Sequence, residues 1–213
     1  MSIVTCFFLS AAWGVQEPAP ERPTIPSTLN WRLDVEFHDP QRITVTLPGD
    51  RSETTYWYML YRVTNNAGMD VDFYPSVRLV TDTLQVVEAG AEIHPMLYDL
   101  IADRHRQEYP FLGPPPKVTG RLLQGEENSR ASVAVFRLFD PLAAGFTVYA
   151  AGISGEMQRV PNPGYDPQKP ETEDNRRAFL LRRTLAIRYD LPGDPATRAF
   201  TKPVRRTREW VMR

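Results

Sequence analysis

At 213 residues the chain is long enough for one medium domain, or two small ones, with a real hydrophobic core. A formal net charge of −1 removes any global attraction to nucleic acid or anionic membranes. Its 20 Pro argue against long helices, because each one deletes a backbone donor and clashes with the preceding turn.

The chain opens on MSIVTCFFLSAAW (Met1–Trp13), apolar or small from Ile3 onward, and turns polar at Gln16. This run is too short to span a bilayer, which takes about 20 apolar residues. It fits a secretory signal peptide over residues 1–16, with Ala12 and Gly14 as the small residues for cleavage after Gly14. No Lys or Arg precedes the run, so the amine of Met1, or an upstream start, would supply the usual positive charge. The competing reading is a buried first strand. Cys6 is the single Cys, and the apolar run follows it instead of leading to it, which argues against a lipoprotein anchor. With the leader removed the chain has no thiol, so disulfides, zinc–thiolate sites, thiol catalysis and iron–sulfur clusters are not expected. Export to the periplasm or the extracellular space is the expected localisation, with no integral membrane segment. Residues 17–28, with Pro18, Pro20, Pro23 and Pro26, read as an extended linker. Residues 29–213 form one domain.

Period-two alternation dominates that domain. Trp31, Leu33, Val35 and Phe37 alternate with Arg32, Asp34, Glu36 and His38, as expected of a strand with one buried and one wet face. Ile43, Val45 and Leu47 alternate with Arg42, Thr44 and Thr46, up to a turn at Pro48-Gly49-Asp50. In Thr55–Thr64 both faces are apolar or aromatic, which marks a central strand. After Asn65–Gly68 a further strand runs through Val71–Leu79. Its Pro75 cannot donate to a ladder and belongs at a sheet edge or a bulge. Pro95–Arg106 breaks the alternation: Leu97, Leu100, Ile101 and Arg104 recur at helical spacing behind a proline suited to the first turn. This single helix, 95–106, ends before Pro110 and Pro114–Pro116. Later strands are expected at Gly120–Gln124, Ala131–Phe139, Phe146–Ile153, Phe179–Tyr189 and Val204–Met212, with a long exposed Pro-rich loop over 156–178. Leu-Pro-Gly-Asp occurs at 47–50 and 191–194, and reads as one turn chemistry used twice.

Short strands with frequent turn signals and one helix imply an all-β, antiparallel two-sheet sandwich. The run Tyr58–Asn66 followed by Val71–Leu79 resembles paired strands of immunoglobulin-like modules in secreted bacterial proteins. The resemblance covers about a quarter of the chain. The cysteine pair of true immunoglobulin domains is missing, and Trp57 would take the place of the core tryptophan. The resemblance implies a fold class, and a fold alone does not give a function.

Reaction-specific motifs are absent. His38, His94 and His105 form neither HExxH nor an i, i+4 pair, and His105 near a helix end suits the helix dipole. Gly152-Ile153-Ser154-Gly155 falls one residue short of a nucleophile elbow, and no phosphate loop is present. Asp70, Asp72, Asp82, Glu126 and Glu127 are acids of no particular pattern, with Glu126–Asn128 reading as a solvated turn. The acids of the 156–178 loop lack calcium-loop spacing. No catalytic, cofactor-binding or metal residue is assigned, and no cofactor is expected.

The C-terminus carries the main electrostatic signal. Lys202, Arg205, Arg206 and Arg208 crowd together beside Trp210, a strip able to hold an acidic polysaccharide, an anionic lipid surface or a partner protein's carboxylates. The structural alternative is an edge strand studded with cations, which discourages edge-to-edge aggregation. Nucleic acid is not an expected partner. The sequence therefore points to an exported, non-enzymatic binding module of the envelope or exterior. Its rivals are a carbohydrate-binding or carbohydrate-active protein and a subunit that assembles by strand addition.

Overall fold

The computed structural model describes residues 30–49, 51–198 and 200–213. The expected leader (1–16) and linker (17–28) lie outside the described residues. The strands of the first half are β1 (Asp34–Phe37), β2 (Gln41–Val45), β3 (Thr54–Asn65), β4 (Val71–Phe73), β5 (Ser76–Thr81) and β6 (Val86–Glu88). Helices α1 (Pro95–Arg104) and α2 (Pro115–Val118) follow, then β7 (Gly120–Leu122), β8 (Gly125–Arg137), β9 (Gly145–Ala151) and β10 (Met157–Pro161). Strand β11 (Ala178–Asp190), the one-turn helix α3 (Pro195–Arg198) and β12 (Val204–Met212) complete the chain. The all-β expectation holds.

Strand β3 organises one sheet, with β8 on one side and β1 followed by β2 on the other. Both faces of β3 are buried, as its two-sided apolar sequence requires. Trp57, Met59, Tyr61 and Val63 enter a core shared with Val148, Leu185, Ile187 and Tyr189 of the second sheet. Tyr56, Tyr58 and Leu60 enter a second cluster, closed by Leu97 and Ile101 of α1. Phe37 faces Tyr61 while Gln41 faces Tyr58, so three residues, 38–40, stand opposite two. The interruption falls at Asp39-Pro40, where proline has no N–H for the ladder.

In the second sheet β9 lies between β5 and β11, β6 borders β5, and β12 runs along the side of β11 away from β9. Main-chain bonds lace the sheets together: Gly90 donates to Val135 O at 2.8 Å and Leu33 to Ile153 O at 3.0 Å. Pro75 divides the Val71–Leu79 run, as a residue without a ladder donor should. Its first part pairs with β7 and its second with β9. The same corner needs a glycine at 152. Its φ is +80°, and a Cβ there would meet the Tyr74 carbonyl oxygen at 2.2 Å.

The two Leu-Pro-Gly-Asp segments behave alike, burying Leu47 and Leu191 and placing Gly49 and Gly193 at positive φ. Three differences from the sequence reading have local causes. Pro115 and Pro116 begin the one-turn helix α2 instead of only ending α1, because proline fits the first helical positions. Strand β10 occupies part of the expected 156–178 loop, since β11 extends to Ala178 and offers it a partner. Glu126–Asn128 belong to β8, whose pairing with β3 slips between Val63 and Asn65 to accommodate them. Among the described residues no helix is long and apolar enough to cross a membrane.

Candidate functional site

An open cleft of about 790 Å³ lies where β2, α1 and the segment before β12 converge. Four chain segments build it: Phe37–Arg42, Trp57, Arg104, and Thr201–Arg205. Arg42 pairs across the ladder with Trp57 and so shares its face, the core face of the sheet. Its guanidinium lies 5.0 Å from the Trp57 ring centroid and donates to Thr201 O at 3.3 Å. Arg104, in the last turn of α1, donates to Arg42 O at 3.2 Å. Burial holds the Arg42 pKa below the ordinary arginine value. Among the described residues no carboxylate lies within ion-pair distance of Arg42, Arg104 or Lys202.

Among the described residues the one acid lining the cleft is Asp39, at the interruption between β1 and β2. It accepts a 3.0 Å hydrogen bond from the Tyr189 hydroxyl and lies 3.6 Å from Arg205 Nε. Burial first, and then the Asp39 charge, push the Tyr189 pKa upward, so this phenol stays protonated and donating. Among the described residues the cleft therefore carries four cationic side chains, Arg42, Arg104, Lys202 and Arg205, against one carboxylate.

Behind its His38 wall a hydrogen-bonded cluster ties the end of α1 to the sheet. Tyr58 donates to Gln41 Oε1 at 3.0 Å, so its oxygen accepts from His105 Nε2 at 2.9 Å. Tyr109 Oη lies 2.7 Å from His38 Nε2, and Glu108 lies 3.4 Å from the same nitrogen. Burial first, and then Arg104, lower the His105 pKa. This histidine sits at the C-cap of α1, yet it contributes a neutral ring to a buried tyrosine and not a charge to the helix dipole. His94 caps the other end, its Nδ1 accepting from Met96 N at 3.2 Å.

The five residues of the C-terminal strip separate. Lys202 and Arg205 line the cleft. On β12, Arg205, Arg208 and Trp210 stand opposite Tyr189, Ile187 and Leu185 and therefore face inward at the open side between the sheets. Arg205 and Arg208 lie 5.5 and 5.0 Å from the Phe37 ring centroid, and Arg208 also donates to Val35 O at 3.2 Å. Trp210 is partly buried between Arg183 and Arg32, 5.3 and 6.0 Å from its ring. Arg206 is the extra residue of a bulge and reaches Asp190 at 2.7 Å. Two members of the strip thus belong to the cleft, two shield the core, and one pairs outward. Arg42 and Arg104 were missed by sequence reasoning. Alternation placed Arg42 on a wet face, and no local signal reports that the strand's inner face runs out into a cleft at that point.

The remaining candidates are structurally engaged. Ser154 Oγ donates to Trp31 O at 3.1 Å and accepts from Glu156 N at 3.2 Å. Asp70 lies 3.4 Å from Arg121 Nε, and Asp82 accepts from Ala144 N at 3.1 Å. Glu126 and Glu127 line a second hollow of about 380 Å³ with Glu36 and Arg62. Among the described residues no group of three or more His, Cys, Asp or Glu side chains is placed to hold a metal ion. No family model, curated protein or solved structure matches the chain.

Proposed function

We propose that this protein is an exported, non-enzymatic binding module with an immunoglobulin-like two-sheet architecture, and that it binds its partner in the cleft beside β2. The observation that carries the reading is the cleft itself. It is within the size range of ligand sites, and two of its cations, Arg42 and Arg104, donate to main-chain carbonyls without forming a nucleophile–base pair. An acidic polysaccharide or a partner protein's carboxylates suit its charge. The apolar first segment, Ile3–Trp13, supports export. Strand addition at β12 is disfavoured by its bulge and inward-pointing arginines, both of which blunt an edge.

Hydrogen exchange on the full chain tests the binding reading. A soluble acidic polysaccharide should protect Gln41–Val45 and Thr201–Val204, whereas a neutral dextran should not. Turnover of a glycan, ester or peptide that is abolished by one acid or serine substitution would overturn it. Fractionation with N-terminal sequencing tests export, and a cytosolic chain that keeps Met1 would remove that part.

A further inference from the structure

We infer that the cleft selects a multivalent oxyanion, a ligand bearing two or more carboxylate, phosphate or sulfate groups, and grips it by those groups alone. The inference rests on the binding reading above and assigns its ligand class.

Arg42 is the anchor. Among the described residues its side chain makes one bond, to Thr201 O, and lies over the Trp57 face, so most of the five donors of this cleft-lining fork have no partner there. Among the described residues Arg104 likewise makes one side-chain hydrogen bond, to Arg42 O. Carbonyl contacts position a guanidinium without neutralising it, so both keep a full charge that an oxyanion satisfies through paired N–H···O bonds. Lys202 adds a point charge from the segment before β12, and Arg205 adds a further charge partly offset by Asp39. Cations on separate chain segments favour a ligand with several anionic groups over a single small ion, because each added group engages a site already held in place.

The two large aromatic rings of the cleft are already covered. Trp57 is only 4% exposed and Arg42 covers its ring, while Arg205 and Arg208 cover Phe37. Neither the Trp57 nor the Phe37 ring is left open in the cleft for a sugar or a nucleobase to stack on, so recognition by its cations is ionic. The anionic groups can come from a free small molecule or from an acidic glycan, since both present the same oxygens.

Calorimetric titration of the full chain at low salt provides the test, with inorganic tripolyphosphate, citrate, a short oligogalacturonate, acetate and maltose as probes. Tripolyphosphate and citrate should bind at least about tenfold more tightly than acetate, with affinity falling as salt rises. Equal or tighter binding of oligogalacturonate assigns the glycan as the source, and its exclusion assigns the free anion. Arg42→Gln should weaken binding by about tenfold, and Lys202→Ala by about threefold. Lys202 is exposed and remote from the core, so its variant tests the inference even if Arg42→Gln folds poorly. Arg206→Gln, outside the cleft, should bind like the parent. Multivalent anions binding no better than acetate, or Lys202→Ala binding as the parent does, overturns the inference. Maltose binding that protects the cleft would overturn the oxyanion assignment while sparing the binding reading, whereas catalytic turnover would overturn the reading first.

Discussion

The two faces of β3 present two ways of burying a strand. Toward the second sheet the contact is mainly apolar, with Trp57, Met59, Tyr61 and Val63 packed against Val148, Leu185 and Ile187. Toward α1 the same strand sets Tyr58 in a hydrogen-bonded cluster with Gln41 and His105, over a smaller apolar floor. The first face derives its stability mainly from area removed from water, which depends little on pH. The second depends on polar groups whose partners must be correctly placed and correctly protonated. The cleft opens at the sheet edge where the two faces meet: Arg42 and Trp57 come from the first, and Arg104, held with α1 by directed contacts, comes from the second.

Substitutions on either side of β3 sharpen this contrast. Phe136→Ala, at a fully buried site of the inter-sheet core, should cost about 3–5 kcal/mol in urea unfolding and lower protection across both sheets. Leu97→Ala, equally buried but beneath α1, should cost about 2–4 kcal/mol, with hydrogen exchange rising first in Pro95–Arg104. Similar loss of protection in both sheets would show that the two cores are not separable. Tyr58→Phe removes the donor to Gln41 and the acceptor of His105, and should cost about 1–2 kcal/mol while leaving the inter-sheet core protected.

Proton linkage offers a finer distinction. Burial, then the Arg104 charge, depress the His105 pKa in the fold below its ordinary value of 6.5. The unfolded chain therefore binds this proton more readily than the native one. The associated stability is present above that ordinary value and is lost as pH falls through the folded value. Acidification should consequently destabilise the α1 side, and His105→Gln should flatten that part of the stability–pH profile. An unchanged profile would separate the ring from the linkage. The smallest effect belongs to the surface: Arg206→Gln breaks an exposed pair with Asp190 and should shift stability by less than about 0.5 kcal/mol.

Much of the architecture was legible because it is local. Two-sided apolarity over Thr55–Thr64 required a strand covered on both faces, and Leu97 and Ile101 at helical spacing supplied one of the covers. Arg183, which interrupts the apolar run of β11, lies on its inner face and pairs with Glu156 beside Trp210. The candidate site was only half legible. Lys202 and Arg205 stood out as members of a charge run, whereas Arg42 looked like any outward residue of an alternating strand. Charge density is visible along a chain, but the place where a buried face ends is not.

The alternation of side chains, the prolines and the turn glycines determined by themselves that this chain forms sheets, where its strands break and which strand is central. Steric limits on φ and the two-residue period act within a few residues, so no distant partner is needed to express them. Tertiary structure alone decided that Arg42, Arg104, Lys202 and Arg205 share one cleft, and that Arg208 and Trp210 shield the core instead. Those groups meet across separations of up to 163 residues (Arg42 to Arg205), and only the packing of both sheets and α1 fixes their distances.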